Sequence, residues 1–131
     1  MKVGAIMKVN ESVENYLETI LILTNRIKNV KSIDIVKELN FSKASVSIAM
    51  KNLRSKNLIN IDSEGYITLS ETGFEIATLI YERHTLLSDW LTTLGVDSKI
   101  ASEDACRIEH VISVESFDAI KKHLSLFKSM K

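Results

Sequence analysis

Cys106-Arg-Ile-Glu109-His110 places a thiol, a carboxyl and an imidazole within a five-residue stretch. Residues three and four apart stand on one face of a helix, so a helical segment here would present all three groups to the same neighbour. Sulfur, oxygen and nitrogen donors in one cluster make half a site for a divalent transition ion. A buried cysteine beside an ordinary surface Glu-His pair is the other reading, and the segment by itself is compatible with both. His84, in Tyr81-Glu-Arg-His84, is a second, remote imidazole beside Leu86 and Leu87, where a histidine either settles into a core or ligates. Asn15 and Glu18 are three apart near the N-terminus and share a helical face, a pair that a solvated helix also explains.

Helices have to position these groups. The 131 residues are 45% hydrophobic and 26% charged, with no proline and only 4 glycines, so a mainly α protein with one core or two small subdomains is expected. An all-β fold is excluded by the scarcity of alternating aromatic and β-branched runs. One cysteine builds no intrachain disulfide framework, which suits a reducing compartment and leaves Cys106 available as thiol or ligand. The apolar stretch in Met1–Lys8 is too short for a signal peptide and no later run approaches membrane-spanning length, so a cytoplasmic protein with no membrane partner is expected.

Along the chain, Val13, Tyr16, Leu17, Ile20, Leu21, Leu23 and Ile27 form the apolar stripe of a helix over residues 12–27, with Ser12 as its N-cap. Ser32–Leu39 reads as a short second helix and Asn40-Phe41 as a turn. Ser42 begins a third helix running to Lys56, with Val46, Met50 and Leu53 inward. Leu58–Asp62 and Tyr66–Leu69 flank Ser63-Glu-Gly65 as a β-hairpin. Short helix, turn, helix, hairpin is the order of a winged helix-turn-helix, assigned to residues 1–71. Ser70 then starts a long helix to about Leu94, closed by Gly95. Asp97 or Ser98 caps a helix through Cys106 to Val111 or Ile112, and Ser113 caps a last one carrying Phe117, Ile120, Leu124 and Phe127 on one stripe. Residues 72–131 thus form an all-helical domain.

Net charge is zero overall but unevenly distributed. From Arg26 to Lys56 there are eight basic and two acidic residues, or +6, whereas from Thr72 onward there are seven basic and nine acidic, or −2. A basic block suits a polyanion. The third helix is the expected DNA-recognition helix, with Ser42, Lys43, Ser45, Ser47 and Lys51 reaching phosphates or base edges. A binding protein this small gains affinity and matches a two-fold operator by pairing, so a homodimer through the apolar faces of the C-terminal helices is expected.

Ser12-Val-Glu-Asn-Tyr-Leu-Glu-Thr-Ile20, the winged-helix segment, Tyr81–Leu87, Leu94–Asp97 and Asp104–Ser113 together resemble the DtxR/MntR family of metal-dependent transcriptional repressors, from about Ser12 to Leu126. The resemblance is to the two-domain form, without the SH3-like third domain. It implies a homodimer that binds a divalent metal and, once loaded, recognises operator DNA and represses metal-uptake genes. Carried over by position, Glu18, His84, Cys106, Glu109 and His110 match ligand positions, and Asn15 occupies another. Departures bear on the metal. In the manganese-sensing branch the positions of Asn15 and Cys106 normally hold Asp and Glu, whereas Cys106 matches the iron-sensing branch. Ser88 and Ser102 stand where that branch has Glu and His ligands of a second metal. The implied cofactor is Fe²⁺ or Mn²⁺, with Zn²⁺ and Co²⁺ also compatible with a thiolate. A winged-helix regulator that has lost metal control and answers another ligand or partner is the alternative. An enzyme is not expected, since no second acid–base constellation or Gly-rich substrate loop accompanies the cluster.

Overall fold

A computed structural model of the chain describes residues 11–129, with side chains through Leu126. The Met1–Lys8 stretch and the Phe127 side chain lie outside the described residues. Helix α1 (Glu11–Ile27), α2 (Ser32–Leu39) and α3 (Lys43–Ser55) are followed by strands β1 (Ile59–Ile61) and β2 (Ile67–Leu69), then α4 (Glu71–Thr93), α5 (Ser98–Ile108) and α6 (Val114–Ser129). The order is that of a winged helix-turn-helix followed by helices. Two compact units divide at Leu79/Ile80, inside α4.

In the N-terminal unit, local chemistry sets each element's ends. Lys31 donates its backbone N–H to Asp34 Oδ2 at 2.8 Å to open α2, and Asn40 closes it in the left-handed region at φ 58°. Ser42 Oγ accepts the Ser45 N–H at 3.1 Å and caps α3. Ser12, by contrast, is the second residue of α1 rather than its cap, because the helix already includes Glu11, with Glu11 and Glu14 placing negative charge in its first turn. β1 and β2 pair antiparallel with Ile59 opposite Leu69 and Ile61 opposite Ile67. Their turn is tied by Asp62 Oδ1, which accepts the N–H groups of Glu64 and Tyr66 at 2.9 Å, while Gly65 takes φ +87°. Ile67 also donates to the Val30 carbonyl at 2.7 Å, tying the hairpin to the segment before α2.

Leu17 and Ile20 of α1, Ile35 of α2, Val46, Met50 and Leu53 of α3, Ile59 and Ile67 of the hairpin and Ile76 of α4 form one buried core. Each such side chain contributes about 1.5–3 kcal/mol on burial. A smaller core in the C-terminal unit holds Leu87, Ala105 and Phe117, with Leu86, Trp90, Ile108, Ile112 and Ile120 packed against it. There α4 ends in a six-to-one closure: Gly95, at φ +105°, donates to the Thr92 carbonyl and Val96 donates to that of Leu91, both at 3.0 Å. Asp97 Oδ2 caps α5 by accepting the N–H groups of Lys99 and Ile100, and Ser113 Oγ caps α6 by accepting that of Ser116.

Among the described glycines, Gly73 is the one fixed by close approach. An added Cβ would fall well inside contact distance of the Leu58 backbone oxygen, which itself accepts the Ser70 N–H at 3.0 Å. Gly73→Ala should therefore lose about 3 kcal/mol of unfolding stability in a urea titration, the upper end of overpacking costs. An unchanged midpoint would contradict this packing.

Candidate metal centre

The C-terminal unit builds a cluster around one buried residue. Glu109 has no exposed surface and lies directly after α5, as its C-cap. Its backbone N–H still donates to the Ala105 carbonyl at 2.9 Å, so Cys106 and Glu109 keep their helical spacing even though α5 stops at Ile108 rather than at Val111 or Ile112. Arg83 explains the stop. This buried arginine of α4 donates through Nη1 to the carbonyls of Glu109 and Ile112, each at 3.0 Å, and stacks its guanidinium 5.4 Å from the centre of the Phe117 ring. Val111 and Ile112 both donate to the Ile108 carbonyl at 3.0 Å, and the chain turns.

The same arrangement sets the carboxyl between three potential donors. His84 Nδ1 lies 2.8 Å from Glu109 Oε1, and its Nε2 is 3.4 Å from the hydroxyl of Ser102. Glu109 Oε2 has no hydrogen-bond partner, its nearest ionic neighbour being His110 Nε2 at 3.4 Å. A ligand atom from each of Cys106, Glu109 and His110 lies within 4.8 Å of the others. Cys106 is exposed, so the cluster runs from a buried oxygen to a thiol that solvent reaches.

An oxygen buried without a donor costs on the order of 1–3 kcal/mol. A divalent cation would satisfy it, and the accompanying imidazole and thiol supply nitrogen and sulfur donors suited to a transition ion. The residues present thus fit a metal on the chemistry of the cluster alone.

Residues 8–70 match the model of the iron dependent repressor N-terminal DNA binding domain, and residues 70–129 match that of the iron dependent repressor metal binding and dimerisation domain. An uncharacterised helix-turn-helix-type transcriptional regulator of Methanocaldococcus jannaschii is 34% identical over 122 residues, 92% of this chain and 98% of that protein. The chain belongs to the iron-dependent repressor family. The transcriptional regulator MntR of Escherichia coli is 30% identical over 111 residues, covering 85% of this chain and 72% of its own length. Among solved structures, that of the manganese regulator SloR superposes with a TM-score of 0.77 at 26% identity over 88% of this chain. This chain spans about half of that one, 54%. Its function class is that of the iron-dependent repressors, metal-dependent control of transcription.

Of the ligand positions expected from the sequence, His84, Cys106, Glu109 and His110 come together within the C-terminal unit. Asn15 and Glu18 stand on α1 in the N-terminal unit, Asn15 half-buried and Glu18 buried. Ser88 and Ser102 are half-buried on α4 and α5. Ser102 approaches the His84 ring, its hydroxyl 3.4 Å from Nε2. Ser42, Lys43, Ser45, Ser47 and Lys51 are all exposed at the start and along the outer side of α3. Arg83 was not among the expected site residues. Its signal in the sequence is only a charged residue in phase with Ile76, Ile80 and Leu87 on one helix stripe, next to a histidine.

In this member of the iron-dependent repressor family, Arg83→Met should leave one buried and one part-buried carbonyl without their donor and cost about 2 kcal/mol of unfolding stability in metal-free protein. The check is a chemical denaturation curve in the presence of chelator. Stability equal to that of the parent would contradict the anchoring role.

Proposed function

We propose that the chain is a divalent-metal-dependent transcriptional repressor that binds operator DNA as a homodimer when metal-loaded and controls metal-homeostasis genes. The observation that carries this reading is the buried Glu109 carboxyl, one oxygen facing His84 and the other left without a hydrogen-bond donor beside Cys106 and His110. Residues 1–71 act as the DNA-binding domain and residues 72–131 as the metal-binding and dimerisation domain, the protein working in the cytoplasm as a regulator rather than an enzyme. No helix among the described residues is long and apolar enough to cross a membrane.

Cys106, Glu109 and His110 form the heart of the ligand set, with His84 beside them. Glu18 and Asn15 join it on the sequence pattern, supported by the burial of the Glu18 carboxyl. The ion, when bound, supplies positive charge that satisfies the buried carboxyl and draws the ligands together. Fe²⁺ or Mn²⁺ is the proposed effector. The thiol weights the donor set toward Fe²⁺, Co²⁺ or Zn²⁺, because thiolate sulfur suits those ions better than manganese. The ion shifts the DNA-binding equilibrium only by its difference in affinity between the competent and incompetent states, commonly about 5- to 150-fold for coupled sites. For pairing, the C-terminal unit offers an open groove of about 410 Å³ lined in part by Tyr81, Leu86, Trp90 and Leu124. Glu82 and Lys121, 2.6 Å apart at its edge, form an ion pair that holds the Lys121 ammonium above the usual lysine range.

On an operator selected from random DNA, added Fe²⁺ or Mn²⁺ should tighten binding at least about 10-fold relative to chelator. His110→Ala should lose that response and keep its helical circular dichroism. Binding indifferent to chelator in the parent protein would overturn metal control.

Contacts from Lys43 and Lys51 to phosphates should appear in the salt dependence. Replacing either by Ala should lower the slope of log affinity against log salt by about 1 per subunit and weaken all sequences alike. An unchanged slope would remove that lysine from the interface.

A further inference from the structure

α3 carries one side chain that neither the core nor the electrostatic account uses. Its buried residues are Val46, Met50 and Leu53. At 100° per residue the opposite face is Ala44, Ile48, Lys51 and Ser55, all exposed. Ile48 stands at the middle of that face and is 69% exposed, more than Ile27, Ile33, Phe41 or Phe74, the other large exposed apolar side chains described in the N-terminal unit. Burying an isoleucine releases about 1.5–3 kcal/mol, which the protein alone leaves ungained here. The face is too polar and its other residues too small to make the contiguous apolar patch a protein partner would cover. A protruding branched side chain framed by Ser47 and Lys51, at the rim of a groove it shares with Tyr16 and Ala49, instead matches a DNA groove whose walls are anionic and whose floor holds single methyl groups.

Resting on the reading of α3 as the recognition helix, we infer that Ile48 is a specificity-determining residue that reads the 5-methyl group of a thymine in the major groove. The thymine methyl is the apolar feature that base edges present there. Ile48 has no donor or acceptor with which to read anything else. Its β-branched side chain is stiff at χ1 and loses little freedom on contact. Ala44, one turn earlier on the same face, leaves room for the base edge to approach. The operator therefore carries a thymine in each half-site opposite the centre of α3, while Lys43 and Lys51 hold the flanking phosphates.

Deoxyuridine, which pairs as thymine but lacks the methyl, isolates this contact. An operator is selected from random DNA with metal-loaded protein, each thymine is replaced in turn by deoxyuridine, and binding is measured for the parent and for Ile48→Ala. The parent should lose about 4-fold in affinity at one thymine per half-site, and about 15-fold when both symmetric positions are changed, as expected for one methyl group per contact. Ile48→Ala should bind the thymine and deoxyuridine operators equally, and because the side chain is exposed the variant should unfold like the parent. Selective binding by the parent that is insensitive to deoxyuridine at every position would overturn the inference alone. So would equal deoxyuridine sensitivity in Ile48→Ala. Failure to select any DNA sequence would overturn the repressor reading itself, and this inference with it.

Discussion

Glu109 concentrates the physical tension of the C-terminal unit in two oxygens. A fully buried carboxyl is tolerated in a protein interior when both oxygens find donors, and here His84 meets Oε1 at 2.8 Å while Oε2 has no hydrogen bond. The packing that buries it is ordinary: Leu87, Ala105 and Phe117 form the core of this unit and the turn after Ile108 folds against it. What is unusual is that the orphaned oxygen faces an imidazole and a thiol rather than a void. Each of these groups can surrender a lone pair to a cation. The proposed ion would supply the partner that this oxygen lacks, so ligand binding and local order are coupled.

Arg83 is the support that makes this geometry possible. A helix ending normally exposes its last carbonyls to water or to a glycine-led turn, as α4 does at Gly95. After α5 the guanidinium takes that role, holding the Glu109 and Ile112 carbonyls and resting on the Phe117 ring. Because Arg83 directly precedes His84 on α4, a single turn of that helix supplies both the anchor for the ligand-bearing segment and an imidazole that contacts its carboxyl. α4 itself starts in the N-terminal unit, where Ile76 and Ala77 belong to the core, and ends in the C-terminal unit. The N-terminal unit spends its own sequence differently: caps at Lys31 and Ser42, a glycine at 65 and a buried face on α3 present an outer row of Ser and Lys side chains to solvent.

Features set by neighbours in the chain were legible from sequence. Ser113 caps the helix it was expected to cap, Asp97 rather than Ser98 caps α5, Gly95 closes α4, and the hairpin turns at Gly65, because each depends on hydrogen bonds reaching only a few residues. The start of α1 was placed at Ser12, one residue later than its first described helical residue, Glu11, where acidic side chains already favour the helix. The early stop of α5 was not legible, since Arg83 lies 26 residues away from Glu109 and only the tertiary fold brings its guanidinium there. Periodicity alone would have carried the helix onward. Cys106, Glu109 and His110 were legible as a trio through their spacing, but the orphaned oxygen was not, because burial of one carboxylate oxygen is a property of the packed unit. Ile48 shows a missed signal of another kind. Its phase opposite Val46, Met50 and Leu53 is readable, yet an apolar residue on a helix proposed to face DNA is easily passed over in favour of Ser and Lys.

Cys106, Glu109 and His110 are proposed to ligate one divalent ion. Anomalous difference maps from crystals grown with Fe²⁺, Mn²⁺ or Zn²⁺, recorded on both sides of each metal edge, test it most directly. The expected result is a peak bonded to Cys106 Sγ at about 2.3 Å and to Glu109 and His110 at about 2.0–2.2 Å. Loaded crystals with no peak among these three side chains, or with an ion whose ligands exclude Glu109, would contradict it.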